Sequence, residues 1–222
     1  MIDLRCGDCL KLMRDIPDES IDLVLCDPPY GISFRSNFRK IKYKRILNDS
    51  APFLDFIPLC DKVLKPTGAL FIFSRWDVQQ VFINCINSCP DLKVKSLIVW
   101  DKGNHSAGDL FSSYGRRYET IIFACKKNFR FPGRRPVDIK FYKRVSPNSV
   151  GHPTPKPVAL LADLILDTTI DGATVLDNCM GSGSTGVACV NTNRNFIGFE
   201  LDKDYFNLAR NRILSAYESK NS

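Results

Sequence analysis

The sequence predicts an α/β fold: a mostly parallel sheet with helices on both faces. Three observations carry this. Short apolar runs such as Ile21-Asp22-Leu23-Val24-Leu25-Cys26 and Ala69-Leu70-Phe71-Ile72-Phe73 have the length and composition of strands buried on both sides. Stretches with helical periodicity alternate with them, as βαβ units require. The chain has 222 residues and is 44 % hydrophobic, enough to bury the core of one domain spanning 1–222.

The elements follow in order. Ile2 to Cys6 reads as a short strand and Cys9 to Arg14 as a helix that stops before Pro17. Ile21 to Cys26 is the next strand. Residues 33–48 are basic and aperiodic and read as a long loop. Pro52 to Val63 is an amphipathic helix interrupted by a proline, followed by a turn at Lys65-Pro66-Thr67-Gly68. Ala69 to Phe73 is a buried strand, Val78 to Cys89 a helix and Val94 to Trp100 a strand. A polar loop leads to a strand over Tyr118 to Cys125. Residues 126–150 are basic, rich in proline and without period, a segment inserted in the domain. Pro155 to Leu166 resumes as helix, with Pro157 in its first turn. Gly172 to Asp177 is a strand, Gly181 to Gly186 a glycine-rich turn opening a helix through Cys189, Asn195 to Glu200 a strand, and Asp204 to Tyr217 a helix. That makes seven strands.

Bulk properties narrow the function. No apolar run approaches the ~18 residues of a membrane span. Charges run through the first residues, so no secretory signal is read and a cytoplasmic location is expected. The nine cysteines are scattered through apolar segments and there are only two histidines, so neither a disulfide framework nor a metal centre is expected. The formal net charge is +7 and uneven. Arg35, Arg39, Lys40, Lys42, Lys44 and Arg45 occur with no acid between them. Lys126, Lys127, Arg130, Arg134, Arg135, Lys140, Lys143 and Arg144 form a second group opposed only by Asp138. Both are interleaved with Phe and Tyr, which points to nucleic acid. Arg116 and Arg117, beside Tyr114 and Tyr118, are further candidates. Trp100 is either core or pocket wall, and His152 a helix cap.

The glycine turn follows a strand and opens a helix, where backbone N–H groups meet a ligand. No Lys follows the glycines, so it is not a phosphate-binding P-loop. The distance from Gly181 to Glu200 suits a carboxylate that takes ribose hydroxyls. Asp177, placed before the glycines, would repel a pyrophosphate and suits a ligand carrying positive charge. The second motif, Asp27-Pro28-Pro29-Tyr30, ends a buried strand. An exocyclic amino group is a poor nucleophile because its lone pair is delocalised into the ring. The Asp27 carboxylate and the Pro28 carbonyl, fixed by the diproline, are two acceptors for its N–H bonds, and Tyr30 can stack on a base drawn out of the helix.

Asp27-Pro28-Pro29-Tyr30, Asp177 through Gly183, and His152-Pro153-Thr154-Pro155-Lys156-Pro157 resemble, in this order, the motifs of S-adenosylmethionine-dependent DNA amino methyltransferases of the permuted beta class. The resemblance covers nearly the whole chain. It implies a Rossmann-like, circularly permuted methyltransferase fold and double-stranded DNA as partner, with a second copy of the chain and a cognate restriction enzyme as candidate partners. It implies that Asp27, Pro28, Pro29 and Tyr30 are catalytic. It implies that S-adenosylmethionine is held by Asp8, Cys9, Asp27, Thr154, Lys156, Asp177, Asn178, Cys179, Gly181, Gly183 and Glu200. Within this set Asp8 meets the adenine amino group, Glu200 the ribose, and Thr154 and Lys156 the cofactor carboxylate. It makes 126–150 the target-recognition segment. An Asp at position 27 leans toward adenine N6. Alternatives are cytosine N4, RNA methylation, a silent nucleic-acid-binding protein and an NAD-dependent oxidoreductase; the last leaves Asp27-Pro28-Pro29-Tyr30 without a task. Asn178 and Cys179 depart from the family's usual Pro-Phe, so weaker cofactor binding is expected, relieved by Cys179→Phe.

Overall fold

The computed structural model describes residues 1–31, 51–105 and 111–221. Its strands are β1 (Ile2–Cys6), β2 (Ile21–Cys26), β3 (Leu64–Ser74), β4 (Lys93–Asp101), β5 (Tyr118–Cys125), β6 (Ile139–Phe141), β7 (Thr174–Asp177) and β8 (Asn195–Glu200). They join in one sheet of order β1-β8-β7-β2-β3-β5-β4-β6. β1, β8, β7, β2 and β3 are parallel; β5 is antiparallel to β3 and β4, and β6 is parallel to β4. The alternating, mostly parallel α/β fold read from the sequence is present, with eight strands among the described residues rather than seven. The eighth, β6, lies in the segment expected to be irregular. It has no strand-like apolar run and forms because Val99 N donates to Asp138 O at 2.8 Å and Tyr142 N to Asp101 O at 3.1 Å, extending the ladder of β4.

Helices cover both faces. α1 (Cys9–Leu12), a 3₁₀ turn (Met13–Asp15), α2 (Ile57–Val63) and α3 (Gln79–Ser88) lie on one side; α5 (Val158–Thr168), α6 (Ser184–Asn191) and α7 (Lys203–Asn221) on the other, and α4 (Pro147–Val150) is a single turn. The period of two along each strand divides the core. Leu23, Leu25, Phe71, Phe73, Ile121 and Phe123 face α5, α6 and α7, while Val24, Cys26, Leu70, Ile72, Ile122 and Ala124 face α1, α2 and α3. Trp100 is core: it is 2 % exposed, meets Phe73 edge-on and donates Nε1–H to Tyr142 O at 2.7 Å.

Three boundaries differ from expectation. The helix expected from Pro52 begins at Ile57, with Pro58 in the first turn where its missing N–H costs nothing. The expected turn at Lys65–Gly68 is part of β3. Pairing jumps there from Ile21↔Leu64 to Leu23↔Ala69, and the bulge tolerates Pro66, whose carbonyl accepts from Asn128 N at 3.2 Å. Pro157 precedes α5 as its N-cap. Among the described residues, no helix is long and apolar enough to cross a membrane.

Because β1, β8, β7, β2 and β3 are parallel, their carboxyl ends gather at one edge of the sheet. Asp8, Glu200, Asp177 and Asp27 therefore meet there, and antiparallel β5 brings its first residues, including Glu119, to the same edge. Ligands of open α/β sheets bind at such an edge.

Candidate active site

Asp27-Pro28-Pro29-Tyr30 leaves the end of β2. The prolines lack N–H groups and cannot continue the ladder. Pro29 O accepts from Phe53 N at 3.2 Å and Tyr30 bridges Pro52, so the motif is clamped onto residues 51–53. Gly31 makes this approach: its φ is +77° and a Cβ would stand 2.6 Å from the Ala51 carbonyl carbon.

Both carboxylate oxygens of Asp27 are engaged. The Tyr30 hydroxyl donates to Oδ1, and the Lys156 ammonium donates to Oδ2 at 2.5 Å. Lys156 Nζ also lies 3.4 Å from Glu119 Oε2 and 5.0 Å from the centre of the Phe73 ring. Glu119 Oε1 takes Lys102 Nζ at 2.5 Å. Two carboxylates and two ammoniums thus form one chain. Burial alone would push the Glu119 carboxyl up, but Lys156 and Lys102 outweigh it and hold it below the usual range. Burial alone would push Lys156 down; Asp27 and Glu119 outweigh that and raise it. Burial, then Asp27, pushes the Tyr30 hydroxyl well up, so it stays a donor.

The glycine loop follows β7. Asp177 is 4 % exposed and accepts from Cys179 N at 3.0 Å and Thr185 Oγ1 at 2.5 Å. Burial pushes its carboxyl up to about 7, against those two hydrogen bonds, and Asp27 and Glu200 add to the rise. Gly183 turns the chain at φ +75°, with the position of its missing Cβ 2.9 Å from Ala209 of α7. Gly181 N donates to Glu200 Oε2 at 2.9 Å and Asp202 N to Oε1 at 2.8 Å, so Glu200 shapes the loop as well as facing it. Asn178 is 2 % exposed and its Oδ1 has no hydrogen-bond partner among the described residues. A buried acceptor left unmatched beside a glycine cradle fits a ligand carrying hydrogen-bond donors. Asp8 caps α1, with Oδ1 accepting from Leu10 N at 3.0 Å, and keeps its second oxygen for other contacts. Cys179, in place of the expected aromatic, turns its thiol to those of Cys9 and Cys26.

The His152-to-Pro157 segment closes the site from the side. The His152 ring packs where a Cβ on Gly181 would meet its Nε2 at 3.1 Å, and lies 4.6 Å from the Tyr205 ring. It is a loop support rather than the expected helix cap. Burial, followed by Lys156 and Arg212, pushes its imidazole down to about 4, so it is neutral. Thr154 is exposed and donates its N–H to His152 Nδ1 at 3.3 Å. Lys156, expected beside a cofactor carboxylate, has its ammonium on Asp27.

The cations expected to meet nucleic acid divide. Arg35, Arg39, Lys40, Lys42, Lys44 and Arg45 lie outside the described residues; Tyr30 and Pro52, which flank them in sequence, are bridged to each other. Arg116 and Arg117 are exposed just before β5, at the edge of the sheet that holds Asp27; Arg117 grips Asp101 through two bonds of 2.6 Å. Lys143 and Arg144, exposed, follow the end of β6 toward that edge. Arg130 follows the other end of β5 and donates to Phe129 O, and Arg134 and Arg135 lie between that end and β6. Arg130 therefore does not share the rim. Lys126 and Lys140 are buried structural cations, held by Asp61 at 2.8 Å and by Asp163 and Asp167 at 2.9 and 2.8 Å. Trp76, Tyr114 and Tyr118 are exposed where β3 ends and β5 begins. Among the described residues no group of His, Cys, Asp and Glu is arranged to hold a metal ion.

Sequence reading missed Glu119 and Lys102. The signal was there for Glu119, a lone acid in the strand Tyr118–Cys125.

Residues 21–211 match the family described as DNA methylase. The chain is 30 % identical to the DNA adenine methyltransferase YhdJ of Escherichia coli, over 93 % of this chain and 81 % of the relative. It is 28 % identical to the type II methyltransferase M.HpaI of Haemophilus parainfluenzae, over 99 % of this chain and 76 % of the relative. Its structure is similar to the crystal structure of the M1.HpyAVI-SAM complex, with a TM-score of 0.74 and 29 % identity over 96 % of this chain and all of that one. The cytosine-N4-specific PvuII DNA methyltransferase shares the fold at a TM-score of 0.73 and 20 % identity, over 98 % of this chain and 91 % of that one.

Proposed function

The chain belongs to the DNA methylase family, and we propose that it is a site-specific enzyme that methylates the N6 amino group of adenine in double-stranded DNA, with S-adenosylmethionine as methyl donor. The observation that carries this reading is the pairing of β2 with β7, which sets the acceptor motif beside the glycine loop. The loop suits this donor: Asp177 and Glu200 are carboxyl groups whose ionised forms a positively charged ligand favours, and Asn178 Oδ1 is an unmatched buried acceptor.

When bound, S-adenosylmethionine supplies an electrophilic methyl carbon on a sulfonium sulfur. The chain's task is to aim and free the nitrogen lone pair. Asp27 and the Pro28 carbonyl accept the two N–H bonds of a flipped base, which favours the pyramidal, nucleophilic nitrogen. Tyr30 presents its ring to the base and its hydroxyl to Asp27. Asp27 is also the acceptor aligned on the proton that the nitrogen sheds as it gains carbon. Alignment and fixed charge supply the rate gain, with no enzyme-bound intermediate. Arg116, Arg117, Lys143 and Arg144 then meet phosphates on either side of the pocket.

The test is transfer of a labelled methyl group to duplex DNA of mixed sequence, digestion to nucleosides, and mass identification of the labelled base. N6-methyladenine is expected. N4-methylcytosine would instead support the second reading, which the site also favours because Asp27 and Pro28 address an amino group on either base.

A further inference from the structure

Each carboxylate oxygen of Asp27 already carries a donor, the Tyr30 hydroxyl on Oδ1 and the Lys156 ammonium on Oδ2. An incoming amino group needs one of those oxygens. The Tyr30 hydroxyl has one donor and can stay. The ammonium on Oδ2 draws down the strength of that oxygen as an acceptor for a neutral N–H, so moving Lys156 away frees Asp27 to hold the amino group, and a buried ammonium that leaves one carboxylate needs another. Glu119 Oε2 stands 3.4 Å from Nζ, the side opposite to Lys102, which already satisfies Oε1 at 2.5 Å. A shift of roughly 0.6 Å brings Lys156 and Glu119 to full charge-assisted contact. The Phe73 ring, 5.0 Å from Nζ, borders that path with its negative face.

We propose that Glu119 is a positioning residue for methyl transfer, the second seat that lets Lys156 release Asp27 to the target amino group. This rests on the reading of Asp27 as the amino-group acceptor. In the resting state Lys156 holds Asp27 in place. On base entry it moves onto Glu119, stays paired, and leaves Oδ2 to the N–H. Lys102 and Lys156 together still balance Asp27 and Glu119, and the amino N–H takes the place of the ammonium on Oδ2.

The experiment is a double-mutant cycle with Glu119→Gln and Lys156→Met, measuring kcat for methyl transfer, KM for DNA, calorimetric affinity for S-adenosylmethionine and thermal melting. Glu119→Gln keeps the shape but removes the second seat, so kcat falls roughly tenfold or more while cofactor affinity stays within about twofold. In the Lys156→Met background the same change alters kcat by less than about twofold, because there is no ammonium left to move. Glu119→Asp retains the charge and gives an intermediate kcat. Equal losses in both backgrounds, or a full rate for Glu119→Gln, overturn the inference while leaving the methyltransferase reading intact. Absence of transfer by the unaltered chain overturns both.

Discussion

Glu200→Gln is a sharp probe of the cofactor site. Each carboxylate oxygen of Glu200 accepts a backbone N–H, from Gly181 at 2.9 Å and from Asp202 at 2.8 Å. An amide offers one oxygen and one NH₂, so one of those N–H groups is left facing a donor. Leaving a partly buried donor unpaired costs about 1–3 kcal/mol. Ribose hydroxyls bound by a carboxylate also gain about 1 kcal/mol over a neutral acceptor. Part of the first cost is already present in the free protein, so S-adenosylmethionine affinity should fall about 10- to 100-fold. Glu200 lies at the end of β8 and is assigned no part in holding the reacting amino group, so kcat at saturating cofactor should stay within about threefold. Isothermal calorimetry and steady-state methyl transfer read the two quantities. Unchanged affinity, or a fall in kcat at full saturation, refutes the assignment of Glu200 to the ribose.

Other predictions follow from particular groups. Gly172 and Gly183 both have positive φ, +77° and +75°, but only Gly183 lacks room for a Cβ; urea unfolding should show Gly172→Ala losing about 1 kcal/mol and Gly183→Ala about 2–4 kcal/mol, and equal losses would count against the close packing of the loop on α7. Burial pushes the Asp177 carboxyl from the ordinary carboxylate range up to about 7, so between those two values its folded state holds a proton that the unfolded chain has lost, and its contribution to stability falls as pH rises through that window. A cationic cofactor favours the carboxylate, so its binding should release up to about one proton near pH 6 and almost none near pH 8.5; calorimetry in buffers of different ionisation enthalpy measures this, and Asp177→Asn should abolish it. Replacing Lys40 and Lys42 together by Ala should weaken DNA binding and lower the salt slope by about 2 without changing the methylated sequence, while Arg130→Ala should leave the slope unchanged. A changed methylation pattern would refute the phosphate assignment.

What was legible in the sequence was local. The β2 run and its diproline, and the β7 strand with its glycines, announce themselves within ten residues each, and Glu200 follows at a fixed distance along the next βα unit. The parts that were hidden depend on register. Glu119 reaches Lys156 because β5 is antiparallel to β3, and Lys156 reaches Asp27 across 129 residues of sequence. β6 carries no apolar alternation of its own and exists by pairing with β4. Lys126 and Lys140 read as members of a DNA-facing run, yet each is buried on acids contributed by helices, and charge counting along the chain does not show that. Pro66 reads as a turn because the bulge that admits it into β3 is set by the neighbouring strand.

The central claim is that Asp27 holds the amino group that receives the methyl. Single-turnover methyl transfer by Asp27→Ala, with duplex DNA and saturating S-adenosylmethionine, tests it most directly. The account predicts a rate lower by about 10²–10³-fold, with cofactor affinity within about threefold of the unaltered chain. Transfer to adenine N6 at an undiminished rate would contradict it.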